Sequence, residues 1–419
     1  LPFPAEDFAS WPIELAELAP FMPDVEHLFQ LPAGPYEATR AEAALGGGSS
    51  ADFRVRAAKW PSFQRRNVAL LLARPLEAGD GPQVWLNATV TRLGLDESGR
   101  VREIEARGGS NILSVRAREV VLAAGAIEST RLLLQLDAAS GRSIVDGHGL
   151  LGRHFHDHLS APVARIAAPN RPALEKLAGF RFEGSGMRNV RFELNRARRD
   201  RALPGAFAHV VWNADTPGGF DALRDIYRSV QRRTLPRGGD LARLARNSSW
   251  LLRAAWARAS DGRVLPPDGA KCELHLVTEQ IPVAENRITL SERDRDAFGL
   301  PLARIDWRVG DADIANTAAV LRVLSNYWDG APRALFGALE ALPRDRWEAA
   351  LSDGGGIFHP GGSARMGHSA ANGIVDRDLR VFGVPNLRVL STAVFPTGGS
   401  ANPTMMLILM AFRCARQLR

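Results

Sequence analysis

The sequence predicts an α/β protein, with a doubly wound domain assembled from both ends of the chain and a second domain of antiparallel sheet plus helices inserted between them. Three observations carry the prediction. Glu119 to Ala124 (EVVLAA) is a continuous apolar run, the pattern of a strand buried on both faces, and Gly125 breaks it before a helical stretch from Ile127 to Leu136. Strand, glycine and helix in that order form the unit of a doubly wound sheet. The same grammar returns after Gly354, where Leu387 to Leu390 (LRVL) reads as a buried strand and Pro403 opens an apolar helix to about Leu418. Between them, from about residue 160 to 330, alternating stretches such as Cys272 to Val277 and Arg287 to Leu290 point to an antiparallel sheet carrying helices.

Val84 to Leu93 (VWLNATVTRL) is rich in β-branched and apolar residues; a turn at Asp96 to Gly99 joins it to Val101 to Ala106 (VREIEA) as a hairpin. Leu241 to Ala259 fits one helix. Arg243, Arg246, Arg253 and Arg258 fall on one arc of it, and Leu241, Leu244, Leu251, Leu252, Ala255 and Trp256 on the other. Asn402 stands where a helix N-cap belongs, with Pro403 at the first helical position. The chain divides at 1–160, 161–350 and 351–419. The first and last parts share the doubly wound domain, the first also sending segments toward the insert, and the middle part is the insert.

The 419 residues suffice for two or three domains and a large core. Hydrophobic residues at 45% and charged residues at 24% argue against disorder and coiled coil. The longest strongly apolar run, Met405 to Phe412, is eight residues, whereas a membrane helix needs about 20. Cys272 and Cys414 cannot build a disulfide framework or a four-cysteine zinc site. The net charge of +7 is concentrated: residues 222 to 263 hold ten Arg against three Asp. That segment either packs its apolar arc on its own domain or docks, as a basic amphipathic helix, on an anionic membrane or an acidic protein. No nucleic-acid motif accompanies the arginines, so nucleic acid is not an expected partner.

Three places could carry chemistry. His154, His156 and His158 alternate in HFHDH, but no second cluster completes a metal site, so no metal is expected. The stretch makes better sense as a turn presenting Asp157 and His158. His359 precedes a Pro-Gly-Gly bend where backbone can approach a ligand closely, and a loop histidine of this kind can act as a general base. Gly398 to Thr404 (GGSANPT) opens a helix whose N-terminus carries about half a positive charge and suits an anion.

The tail reads HPGGSARMGHSAANGIVDRDLRVFGVPNLRVLSTAVFPTGGSANPTMMLILMAFRCARQL, and VVLAAGAIESTRLLL, LLGRHFHDHL, ENRITLSERDRDAFGLPLARIDW, SWPIELAELAPF and AAKWPSFQRRNVALL accompany it upstream. Together these stretches resemble the glucose–methanol–choline (GMC) family of flavin oxidoreductases, and within it a bacterial sugar and polyol dehydrogenase branch. The resemblance covers nearly the whole chain and is weakest from about 165 to 270. It implies a domain that binds FAD, an inserted substrate domain, and oxidation of an alcohol or sugar by hydride transfer to flavin N5. It implies that His359 takes the hydroxyl proton. Asn402 matches a second active-site position occupied by His or Asn; Asn is no base at neutral pH, so an orienting role is expected. It further implies that Pro403 and Thr404 lie at the flavin ring, and that Ala124, Gly125 and Glu128 lie near the ADP part of FAD. Val90 would meet the adenine, with Asp157 and His158 close to the cofactor. Ser391, Thr392 and Ala393 stand where many members have Asp-Ala-Ser, which weakens any contact inferred at Thr392 and Ala393. The electron acceptor is left unassigned.

One departure stands out. The family begins with a strand, G-x-G-x-x-G, a helix and an acidic residue, the glycines letting a pyrophosphate reach the helix N-terminus. Gly46 to Gly48 follow no apolar strand and have the wrong spacing, and Gly354 to Gly356 belong to the His359 loop. With Leu1 in place of an initiator Met, the expectation is a fragment lacking the first βαβ unit, which by itself binds FAD poorly. The alternatives are a chain that works with a separate fingerprint-bearing polypeptide, or a non-catalytic chain that docks through residues 241–259. The compartment defaults to cytoplasmic, since an export signal would lie outside this sequence.

Overall fold

Two hydrophobic cores organise the chain in its computed structural model, which describes residues 2–418 apart from 38, 46–51, 63, 80, 142–144, 168, 198–202, 233 and 354–357. The glycines at 46–48 and 354–356 therefore lie outside the described residues. The first core joins both ends of the sequence: Phe3, Trp11, Leu122 and Leu133 pack in one cluster with Val389, Phe395 and Leu409. Its sheet has three strands in the order Arg380–Val381, Val384–Val389, Val120–Leu122. The last two run parallel, with Leu387 opposite Val120 and Val389 opposite Leu122. That parallel pair is the two-faced apolar pattern of EVVLAA and LRVL realised in space, and such a pair needs a crossover connection. Among the described residues Val120–Leu122 pairs only with Val384–Val389, so its other edge is open. Helices Gly125–Ala139 and Thr404–Gln417 supply Leu133, Leu136, Met406 and Leu409 to the core.

The second core lies on a seven-stranded antiparallel sheet. Its order is Phe53–Trp60, Gly186–Leu194, Ala206–Asn213, Lys271–Glu279, His158–Ala167, Ala338–Ala341, with Arg181–Glu183 added beside Gly186–Leu194. Phe192, Trp328 and Phe336 meet edge to face or tilted beneath it. Trp328 ends helix Asp311–Trp328 and donates its indole N–H to Gly337 O at 2.9 Å.

Several sequence expectations shift. The Val84 strand begins at Thr89, and Val84, Trp85 and Leu86 are exposed, because no layer covers them. Thr89–Leu95, Val101–Gly108 and Asn111–Val115 form a three-stranded meander, one strand more than the expected hairpin. Arg287–Arg295 pairs with Pro301–Asp306 in a separate two-stranded sheet rather than joining the large one. Arg131 pins that hairpin to helix Gly125–Ala139, donating to Pro301 O at 2.7 Å and to Asp296 at 2.6 Å. The expected helix over 241–259 is two helices, Gly238–Arg246 and Ser248–Asp261, broken at Asn247. The break resets the helical phase. Trp250 and Ala257 turn inward, Trp250 donating to Pro266 O at 2.9 Å, while Leu241, Leu252 and Trp256 stay exposed.

Among the described residues no helix is long and apolar enough to cross a membrane. Cys272 and Cys414 are both buried and free.

Candidate active site

The candidate site forms where the turn before strand His158–Ala167 meets the loop of His359 and the loop entering the C-terminal helix. His156 and Gly361 exchange backbone hydrogen bonds at 3.1 and 2.9 Å. The next residue, Gly362, has φ +82°, and a side chain there would run into the His154 carbonyl and the His156 ring. From the other side, the Thr392 and Ala393 carbonyls accept from the amides of Gly362 and Ala364 at 3.2 and 2.9 Å. The Thr392 hydroxyl donates to Pro360 O at 2.6 Å. Backbone therefore fixes the His359 loop on both flanks.

Asp157 joins the two central histidines. Its Oδ1 accepts the backbone N–H of His158 at 2.6 Å and of His359 at 2.8 Å. Burial pushes the Asp157 carboxyl up, and these two amides oppose that by favouring the carboxylate. The rings themselves meet edge to face, with His158 Nδ1 and His359 Nδ1 3.2 Å apart. His158 Nε2 lies 2.9 Å from Gly399 O.

The carbonyl decides the tautomers. Gly399 O can only accept, so His158 carries its proton on Nε2. Neutral His158 then offers a lone pair at Nδ1, and His359 must donate to it from its own Nδ1. Neutral His359 is left with a bare lone pair on Nε2. Burial holds His158 below the ordinary imidazole value. Burial first, then the fields of His158 and Arg191, bring His359 down to about 4. Both rings are thus neutral near pH 7.

Two carboxylates hold the loop under these rings. Glu279 accepts the amides of Gly205 and Gly399 at 2.6 and 2.8 Å. Asp7 accepts the amide and hydroxyl of Ser400 at 2.7 and 2.9 Å and pairs with Arg196 at 3.0 Å. Burial and the nearby Glu279 charge push Asp7 up to about 7.

Asn402 does not cap the C-terminal helix. The helix begins at Thr404 with Pro403 at the cap position, and Asn402 Oδ1 instead accepts from Arg191 Nη1 at 3.1 Å. Asn402, Thr404 and Arg191 line a cavity of about 340 Å³ whose other walls include Phe29, Trp60, Met405 and Ile408. Arg191 was not singled out in the sequence. It lies in a strand, MRNVRFEL, where charged and apolar residues mix without strict alternation, so nothing marked it as buried. Asp7 and Glu279 likewise carried no local signal.

The remaining candidates lie elsewhere. Val90 is half-buried opposite Ala106, and Ala124, Gly125 and Glu128 are exposed at the start of helix Gly125–Ala139, with Glu128 paired to Arg131. Among the described residues no hydrogen bond or ion pair links these four to the histidines. Ala393 is buried in the turn that backs the His359 loop. His154 Nδ1 sits 3.4 Å from Pro282 O, and among the described residues no three His, Cys, Asp or Glu side chains are grouped to hold a metal.

Residues 282–411, which contain His359, Asn402 and the C-terminal helix start, match the family model described as GMC oxidoreductase. That C-terminal stretch is similar to the GMC oxidoreductases. The chain is 25% identical over 312 residues to 2-methyl-1,2-propanediol dehydrogenase of Mycolicibacterium austroafricanum, covering 71% of the chain and 47% of that protein. It is 28% identical over 357 residues to 5-(hydroxymethyl)furfural oxidase of Methylovorus sp. (strain MP688), covering 79% and 56%. The chain thus spans about half the length of the curated relatives it matches. Its fold resembles that of pyridoxine 4-oxidase from Mesorbium loti, with a TM-score of 0.54, 16% identity, and coverage of 92% of this chain and 70% of that one.

Proposed function

We propose that the chain carries the proton-accepting side of an FAD-dependent oxidation of a CH–OH group, in an alcohol or sugar. The observation that carries this is the tautomer chain Gly399 O, His158, His359, which leaves a lone pair on His359 Nε2. His359 takes the hydroxyl proton there, and His158, accepting from Nδ1, stabilises the imidazolium that forms. Asn402, its carbonyl engaged by Arg191, keeps its amide N–H groups free to orient the substrate oxygen. Relatives named for a propanediol and for hydroxymethylfurfural support an alcohol as substrate.

The residues present suit part of the cofactor. Gly125 has φ +77° with open space beside it, at an exposed strand-to-helix turn where the cap residue, Ala124, offers the helix amides no side-chain acceptor and its own amide donates to Ser129 Oγ at 3.2 Å. The C-terminal helix also starts without a side-chain cap, at exposed Thr404. Uncapped helix starts favour anions. Ala124, Gly125 and Glu128 would face the ADP part with Val90; Pro403 and Thr404 would face the ring, near Asp157, His158, Thr392 and Ala393. When bound, FAD supplies the two-electron acceptor. The sequence contains no G-x-G-x-x-G, so these residues are assigned no pyrophosphate cradle of that kind.

The test is His359→Ala in a preparation that retains FAD. Alcohol-driven bleaching of the flavin absorption is expected to slow by about 100-fold or more, the usual worth of a positioned base. Unchanged bleaching with FAD bound would remove His359 from the mechanism.

A second reading concerns the surface of residues 238–261. Leu241, Leu252 and Trp256 are 52, 72 and 74% exposed beside Arg246, Arg253 and Arg258. Apolar side chains interleaved with arginines suit the headgroup region of an anionic bilayer. Co-sedimentation with anionic vesicles, lost on replacing Arg246, Arg253 and Arg258 by Gln, is the expected result. Equal sedimentation with neutral vesicles would refute the electrostatic part of it.

A further inference from the structure

We propose that Arg191 receives a carboxylate, and that the substrate of the site proposed above is therefore a hydroxy acid with an apolar body. The inference deepens that reading and rests on it.

Arg191 is 6% exposed in strand Gly186–Leu194. Its guanidinium stacks over Phe207, 4.2 Å from the ring centre, and faces Trp60 at 5.7 Å. Its hydrogen bonding is far from complete. Nη1 donates to Asn402, Nε is buried without a partner, and among the described residues no bond is made by Nη2. No carboxylate among the described residues forms an ion pair with it. Glu193, whose field reaches Arg191, is already taken: both its oxygens accept from Arg56 Nη1, at 3.1 and 2.9 Å.

A buried guanidinium without a counter-charge is costly, and proteins usually pair it. The open edge here is Nε with Nη2, the two parallel donors that match the two oxygens of a carboxylate. That edge belongs to a residue lining the 340 Å³ cavity. The other cations there are engaged: Lys59 Nζ is 2.6 Å from Glu26, and Arg66 stacks on Trp60 at 5.4 Å. The walls are otherwise mostly apolar, with Val25, Phe29, Leu31 and Ile408 among them. An anion with an apolar body therefore matches both halves of the cavity. Arg191 also ties the cavity to the chemistry, since it holds Asn402 and its field reaches His359. A carboxylate seated on Arg191 removes one of the charges that depress His359, which moves the ring toward the range of an effective base.

The test is binding to the 419-residue chain, read by tryptophan fluorescence and calorimetry without added flavin. The probes are 6-hydroxyhexanoate and 1,6-hexanediol, equal in length and different in charge. The wild-type chain is expected to bind the carboxylate about 10- to 100-fold more tightly than the diol, as a charge-assisted bidentate contact implies. Arg191→Met is expected to abolish the difference. Arg191→Lys, which keeps the charge and loses the fork, is expected to retain only part of it, and it serves if the Met variant fails to fold. No detectable binding of 6-hydroxyhexanoate, equal binding of the two probes, or discrimination that survives in both variants overturns the proposal. Carboxylate selectivity without any alcohol oxidation in an FAD-loaded preparation would sustain the anion site and sink the oxidation reading. Oxidation of neutral alcohols without carboxylate selectivity would do the reverse.

Discussion

Acidifying the solution from about pH 7 to about pH 5 should weaken the fold through His359, and the size of the loss follows from its surroundings. The ring lies at about 4 in the folded protein and at 6.5 in the unfolded chain. Between those values the unfolded chain binds a proton that the folded one refuses, so stability falls as pH falls. Complete titration of that gap corresponds to about 3 kcal/mol. The interval from about pH 7 to about pH 5 samples roughly 2 kcal/mol of it, and solvent at a partly buried ring trims this to about 1 kcal/mol. His156, His158, His209 and His275 are also held low by burial and add a slope of their own. His359→Gln isolates the single contribution, because the amide does not titrate. Urea denaturation at both pH values, on wild type and variant, measures it. The variant should lose about 1 kcal/mol less than wild type on acidification. Equal losses would mean that His359 is not kept neutral by its neighbours, and the tautomer assignment would fall with it.

Gly362→Ala should destabilise the protein by about 1–3 kcal/mol and displace the His359 loop, since the added methyl meets the His154 carbonyl in a left-handed backbone. Urea denaturation reads the first effect, and weakened alcohol-driven flavin bleaching in an FAD-loaded preparation reads the second. Trp328→Ala should cost about 3–5 kcal/mol by leaving a cavity beside Phe192 and Phe336. The same measurement checks it, with an unchanged midpoint counting against the second core as described.

Much of the first core was legible because its signals are local. A two-faced apolar run, a glycine and a helix start occupy a few consecutive residues, and they announced Val120–Leu122, Val384–Val389 and both packed helices. His359 stood out for the same reason, in a glycine-rich loop, whereas Asn402 read locally as a helix cap and its place in the site came only from the family resemblance. What was not legible depends on distant pairing. Phe53–Trp60 finds its partner at Gly186–Leu194, and nothing in either stretch names the other. The break at Asn247 was hidden because the arginine and leucine spacing suits one helix as well as two. Arg191 was invisible for a physical reason: a buried charge and a surface charge look alike in a sequence, and only the finished sheet tells them apart.

The bond from the Ser400 amide to Asp7 spans 393 residues of chain. It has a kinetic meaning as well as a structural one. Contacts of such separation close late, after the loop entropy of nearly the whole polypeptide has been overcome. The loop between Gly398 and Asn402 cannot take its final shape before the first segment has docked on it. Binding competence should therefore appear in the slowest phase of refolding, well after most of the secondary structure has formed.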